Sequence, residues 1–140
     1  MRKAIRTTKA PKPAAAYEQA IMDGNLIFVS GQVANDAATG KVIEGTIEEQ
    51  VTQALRNIEA ILQAAGADRR DIVRCGVFLA DLGDFAAMNR AYTEFFSGSV
   101  PARTTVQAGL GSLRVEIDAI AVRHPKSARR KAVRKAPHRR

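Results

Sequence analysis

The chain has 140 residues, 46% of them hydrophobic and 26% charged, which fits one globular domain and leaves no room for two. Its single cysteine, Cys75, excludes a disulfide framework and a cysteine-built zinc site, and no apolar run approaches the 18 residues of a membrane span. The net charge of +8 is carried by the ends: residues 124–140 hold 8 Lys/Arg and residues 1–12 hold 5, with no acid in either, so residues 13–123 keep 9 bases against all 14 acids, a net −5.

In chain order, residues 1–12 read as a basic N-terminal segment before a domain over 13–123. The segment lacks the apolar stretch of a secretory signal, and Pro11 and Pro13 interrupt an amphipathic transit helix. With one cysteine and no secretory signal, a reducing, cytoplasmic location is expected. Leu26 to Ser30 reads as a strand, paired through an Asp23-Gly24-Asn25 turn with a partner over Tyr17 to Met22. Asn35 to Gly40 is a loop.

Thr46 to Ala65 is the clearest helix. Thr46 and Glu49 have capping-box spacing, Val51, Leu55, Ile58, Leu62 and Ala65 recur on one face, and Gly66 stops the helix. Ile72 to Leu79 is a strand. Asp84 is expected to cap a second helix reaching about Phe96, with Phe85, Met88, Tyr92, Phe95 and Phe96 as its apolar side. Pro101 to Val106 and Leu113 to Val122 complete the strands. In the last of these Val115, Ile117, Ala119 and Ala121 face one way, and Arg114, Glu116, Asp118, Ile120 and Val122 face the other.

The expected order is β-β-α-β-α-β-β, a two-layer α+β fold with a mixed sheet and both helices on one face. Two helices cover one sheet face only. The apolar positions left on the other predict a second subunit. Residues 124–140 alternate Ala with basic residues and contain no aromatic, which predicts a disordered basic tail. Two readings of that tail stand: a solubilising appendage, or weak, salt-sensitive contact with nucleic acid or another polyanion.

Both histidines, His124 and His138, belong to the tail, so residues 13–123 contain neither a Ser-His-Asp nor a Cys-His arrangement nor a histidine-ligated metal site. Acid–base chemistry there falls to Asp, Glu, Tyr, Lys or Cys. Cys75 stands mid-strand in IVRCGVFL and reads as a small buried hydrophobe. Gly109 and Gly111 have no following Lys-Ser/Thr, and read as a strand connection rather than a phosphate loop.

Ser30-Gly31-Gln32, Asp71-Ile72-Val73, Phe78-Leu79, Asp81-Leu82, Asp84-Phe85, Asn89, Pro101-Ala102-Arg103 and VEIDAIAV over 115–122 follow one another in an ordered series. On these residues the chain resembles the RidA/YjgF family of enamine/imine deaminases, also called the endoribonuclease L-PSP family, over about residues 13–123. The resemblance implies a chorismate-mutase-like fold, a homotrimer with active sites in the clefts between subunits, and neither cofactor nor metal. It implies conversion of reactive enamines and imines, such as 2-aminoacrylate, to 2-oxo acids and ammonia.

Carried onto this sequence, the resemblance makes Arg103 the group that binds the substrate carboxylate, a role its planar fork suits. It makes Glu116 the acid that positions water or relays protons, and Tyr17 the aromatic that closes the pocket. Ser30, Gly31, Asn89 and Thr105 complete the substrate-binding set, while Asp118 is read as structural. Two departures stand out: Ala15-Ala16 replaces the family's usual Gly-Pro before Tyr17, and Thr105 stands where many relatives carry Cys. Two other functions remain open from sequence. One is an RNA-directed protein, either an endoribonuclease or a translation inhibitor; the other is a non-catalytic trimer that binds small molecules.

Overall fold

The structure, a computed structural model, describes residues 1–125; the expected disorder of the tail falls on residues outside that range from 126 onward. Six strands form one sheet in the order β1-β2-β3-β6-β4-β5: β1 (Lys3–Ile5), β2 (Ala20–Asp23), β3 (Leu26–Gln32), β4 (Ile72–Leu79), β5 (Ala102–Gln107) and β6 (Val115–Val122). The β4–β5 pairing is parallel and the other four are antiparallel. The two helices, α1 (Ile47–Ala64) and α2 (Phe85–Phe95), pack on one face. This is the expected two-layer mixed-sheet fold with one strand more.

The extra strand is β1, which lies in the segment that reads in sequence only as a basic N-terminal one. It pairs with β2, and Ile5 is buried in the core. Lys3 and Ala4 give a three-residue strand too little alternation to be seen in sequence. The following stretch is held by the buried amide of Gln19. Its Oε1 accepts from the Thr7 N–H at 2.7 Å, and its Nε2 donates to the carbonyls of Thr7 and Pro11 at 3.0 and 2.9 Å.

The strand expected over Tyr17 to Met22 begins only at Ala20. Its ladder with β3 runs from Asp23↔Leu26 to Ala20↔Val29, then meets a bulge in β3 between Val29 and Gln32. Beyond it the Ser30 hydroxyl donates to the Glu18 carbonyl at 2.6 Å, so Tyr17 is left outside the sheet. The turn joining β2 and β3 places Gly24 at φ +58°, which a residue without Cβ adopts freely.

Helix α1 forms as its periodicity predicts. The Thr46 hydroxyl accepts from the Glu49 N–H at 3.2 Å, and Val51, Ala54, Leu55, Ile58, Ile61 and Leu62 are fully buried against the sheet. Asp84 does not cap α2. A 3-10 turn over Leu82–Asp84 runs straight into the helix; its cap is Asp81, which accepts from the Gly83 N–H at 2.8 Å. Asp84 instead accepts from Arg114 at 3.2 Å.

Strand β6 lies between β3 and β4 and alternates as expected. Val115, Ile117, Ala119 and Ala121 are buried under the helices, while Glu116, Asp118, Ile120 and Val122 face the open side. Phe28 pairs with Ile120 and Leu26 with Val122 across that open face, and Val106 is exposed on the edge strand. Cys75 is buried, as read from its strand context, and desolvation pushes its thiol up to about 11.

Candidate active site

The bulge that ends the β2–β3 ladder also builds the first half of the site. It turns Gly31 toward β6, where the Glu116 carboxylate lies against the Gly31 backbone; a Cβ on residue 31 would stand 2.9 Å from the Glu116 carboxyl carbon. The backbone can come this close only where the side chain is absent. Glu116 and Gly31 line a cavity of about 340 Å³ together with Tyr17, Val33, Asn35 and Leu113. Tyr17 is about half exposed there, and its hydroxyl accepts from the Ala14 N–H at 3.3 Å. Ser30 is adjacent in the bulge, but its hydroxyl is committed to Glu18.

The second half lies on the other face of the sheet. Paired residues in a sheet share a face, and Arg103 pairs with the buried Cys75, whereas Glu116 pairs with Phe78 on the open side. The Arg103 guanidinium therefore sits beneath α2. Its carbon is 4.7 Å from the centre of the Tyr92 ring and 5.5 Å from that of Phe85, and Nη1 is 3.9 Å from the Met88 sulfur. Among the described residues no carboxylate pairs with it. Thr105, two residues on and sharing the Arg103 face, has a buried hydroxyl with no partner, while the buried Tyr92 hydroxyl lies against the Cys75 thiol. Burial holds the Tyr92 phenol well above its usual range. Asn89 follows Met88 on α2, and its backbone carbonyl accepts from the Thr93 hydroxyl at 2.8 Å.

The residues singled out in sequence thus fall into two groups. Tyr17, Gly31 and Glu116 share one cavity, with Ser30 behind it. Arg103 and Thr105 lie on the helix-covered face next to α2, which carries Asn89. Within one chain the sheet separates Arg103 from Glu116. Asp118 lies flat along the sheet, accepting from the Gly76 N–H at 2.8 Å, which fits its structural reading.

Two of the wider concavities, of about 590 and 670 Å³, have their lining arginines paired with carboxylates. Arg6 in the first is bonded to Glu18 at 2.6 Å, and Arg69 in the second to Glu59 at 2.6 Å.

The family profile described as Endoribonuclease L-PSP matches residues 7–123. The chain belongs to this family. A RutC family protein of Pyrococcus abyssi is 47% identical over 119 residues, covering 84% of this chain and 94% of the relative. The mouse protein named 2-iminobutanoate/2-iminopropanoate deaminase is 44% identical over 128 residues, covering 89% of this chain and 94% of its own. Among solved structures, the YjgF gene product of E. coli superposes with a TM-score of 0.82 at 39% identity, covering 87% of this chain and 99% of that one. E. coli TdcF, solved with bound serine, gives the same TM-score and coverage at 37% identity. The RidA/YjgF resemblance read from the motifs is therefore correct, and so is the fold it implied.

Sequence reasoning missed the residues that hold the two halves in place. Asn57, on the buried side of α1, donates to the carbonyls of Val33 and Asn35 at 3.1 and 2.9 Å, and so pins the loop that walls the Glu116 cavity. The available signal was an amide on the apolar stripe of a helix, where a polar side chain needs partners. In sequence Met88 and Tyr92 read only as the apolar side of a helix. Their contact with Arg103 depends on the parallel β4–α2–β5 crossover, which single-chain periodicity does not reveal.

Proposed function

We propose that the protein is an enamine/imine deaminase of the 2-iminobutanoate/2-iminopropanoate type, which hydrolyses small 2-imino acids to 2-oxo acids and ammonia. The observation that carries this reading is the Arg103 guanidinium, a partly buried cation with no anionic partner among the described residues. A cation left so attracts an anionic ligand, and a planar fork matches a carboxylate. The names of the mammalian relatives and the serine bound to TdcF support a small amino-acid-like substrate.

The reaction needs little assistance, because an imine carbon is already electrophilic. Protonation of the enamine at its terminal carbon gives the 2-imino acid, whose carboxylate Arg103 grips. A water hydrogen-bonded to Glu116 attacks the imine carbon as its proton passes to the carboxylate. The carbinolamine then collapses: the nitrogen takes the proton back from Glu116, the C–N bond breaks, and the hydroxyl gives its proton to the carboxylate as the C=O of the 2-oxo acid forms and ammonia leaves. One water is consumed and no electron is transferred. Since Arg103 and Glu116 lie on opposite faces of the sheet, each site takes its arginine from one subunit of a homotrimer and its carboxylate from the neighbour.

The test follows removal of imino acids generated in situ by an amino-acid oxidase, with RNA cleavage measured on the same samples. The parent protein should accelerate removal. Arg103→Lys keeps charge but loses the fork and should nearly abolish it, and Glu116→Gln should lower turnover by about 10²-fold, the low end for lost acid–base help. Full imine activity in Arg103→Lys would end the carboxylate-anchor mechanism. RNA cleavage without imine hydrolysis would favour the family's ribonuclease label instead.

A further inference from the structure

The cavity beside Glu116 is lined by two charged side chains, Lys12 and Glu116, with Gln19, Gln32 and Asn35 as further polar lining. The two charges do not pair with one another. Among the described residues the Lys12 ammonium has neither a hydrogen bond nor an ion pair. Glu18, which borders the adjoining concavity together with Lys12, is already taken by Arg6 through hydrogen bonds of 2.6 and 2.9 Å.

Lys12 is exposed, but its backbone is not free. Pro11 and Pro13 flank it and fix φ on either side. The buried amide of Gln19 donates to the carbonyls of Ala10 and Pro11 at 3.3 and 2.9 Å, and the Ala14 N–H donates to the Tyr17 hydroxyl at 3.3 Å. The lysine stem is thus held at the cavity wall, and a ligand has only the side chain left to order. In the reaction proposed above, the imine carbon stands at Glu116 and the α-carboxylate goes to Arg103. The rest of the cavity, about 340 Å³ in all, is left for the substrate side chain. Glu116 alone would repel an anionic side chain there, and Lys12 supplies the opposite charge.

We propose that Lys12 is a specificity-determining residue that takes a second carboxylate on the substrate side chain, so that the site favours dicarboxylic imino acids over uncharged ones of equal shape. The assignment rests on the deaminase reading above.

The test compares imino acids formed by amino-acid oxidases from aspartate and asparagine, which differ in a side-chain carboxylate against a carboxamide. The parent should favour the aspartate-derived imine in kcat/KM. Lys12→Met keeps the stem without the charge and should lower that ratio about three- to tenfold, the worth of a partly solvated charge pair, mainly through KM. Lys12→Arg should keep most of the preference. Lys9, exposed on the same segment, lines neither concavity, so Lys9→Met should leave the ratio unchanged. An unchanged ratio in Lys12→Met overturns the proposal, and so does an equal fall in Lys9→Met, which would show attraction by overall charge rather than contact. If the parent removes the alanine-derived imine but neither of these two, the proposal fails and the deaminase reading stands. If it removes none of the three, the deaminase reading fails, and succinate and succinamate are titrated against the protein by NMR. Tighter succinate binding that Lys12→Met abolishes would support the Lys12 site, and equal or absent binding of the two would overturn it.

Discussion

Gly31 shows how one absent side chain shapes the candidate site. The Glu116 carboxylate occupies the space in which a Cβ on residue 31 would stand. Gly31→Ala should therefore displace that carboxylate and lower kcat for imine hydrolysis at least tenfold, while circular dichroism and the oligomeric state stay those of the parent. Parent-like turnover would show that the packing of Glu116 on Gly31 has no catalytic consequence. Cys75 makes the opposite case, a reactive residue type placed where it cannot react. Burial raises its thiol to about 11, so at pH 8 almost none of it is thiolate, and Cys75 is fully enclosed. A thiol reagent at pH 8 should leave the folded protein unmodified and label one equivalent in denaturant. Rapid labelling of the native protein would contradict the burial. This much was legible in sequence, because a cysteine inside an apolar strand run is most simply core. The unpartnered hydroxyl of Thr105 was not legible, because a missing hydrogen-bond partner is a property of three-dimensional packing.

Among the elements, local signals served well where one element decides its own form. Helix α1 begins at the Thr46 cap, and its 3.6-residue stripe is the stripe that is buried. They failed where two elements compete for one residue. Asp84 has the residue type of an N-cap, but Arg114 claims its carboxylate and Asp81 caps the 3-10 turn ahead of it. Tyr17 lies within reach of the Asp23-Gly24-Asn25 hairpin, yet the β2–β3 ladder ends at the β3 bulge before reaching it. Asn57 links element to site, since its amide ties α1 to the loop after β3. Asn57→Ala leaves the part-buried carbonyls of Val33 and Asn35 without this donor and should cost about 1–3 kcal/mol in chemical denaturation. It should also raise KM for imino acids more than it lowers kcat, because the loosened loop walls the cavity without supplying the carboxylate. A stability loss with KM unchanged would make Asn57 a purely architectural clamp.

For the whole molecule the decisive feature is the two-sided sheet. Its helix-covered face holds the core and Arg103, and its open face holds Glu116 beside an apolar stripe through Phe28 and Ile120 that no element among the described residues covers. An exposed stripe of this kind favours association, and light scattering should return a mass near three times 15.1 kDa. The sheet also fixes how such a trimer must work. If one chain cannot bring its own Arg103 to its own Glu116, each site pairs the arginine of one subunit with the carboxylate of the next. Arg103→Lys and Glu116→Gln trimers are then each nearly inactive for different reasons. Unfolded together in equal amounts and refolded, they form mixed rings in which some interfaces receive an intact arginine from one subunit and an intact glutamate from the other. Random assembly around a cyclic trimer gives about one such interface in four, so the mixture should recover about a quarter of the parental rate. Mixing without unfolding should recover nothing until subunits exchange. A site contained within one chain makes the opposite prediction, because every subunit in the mixture carries a lesion and activity stays at the level of the two variants however they are combined.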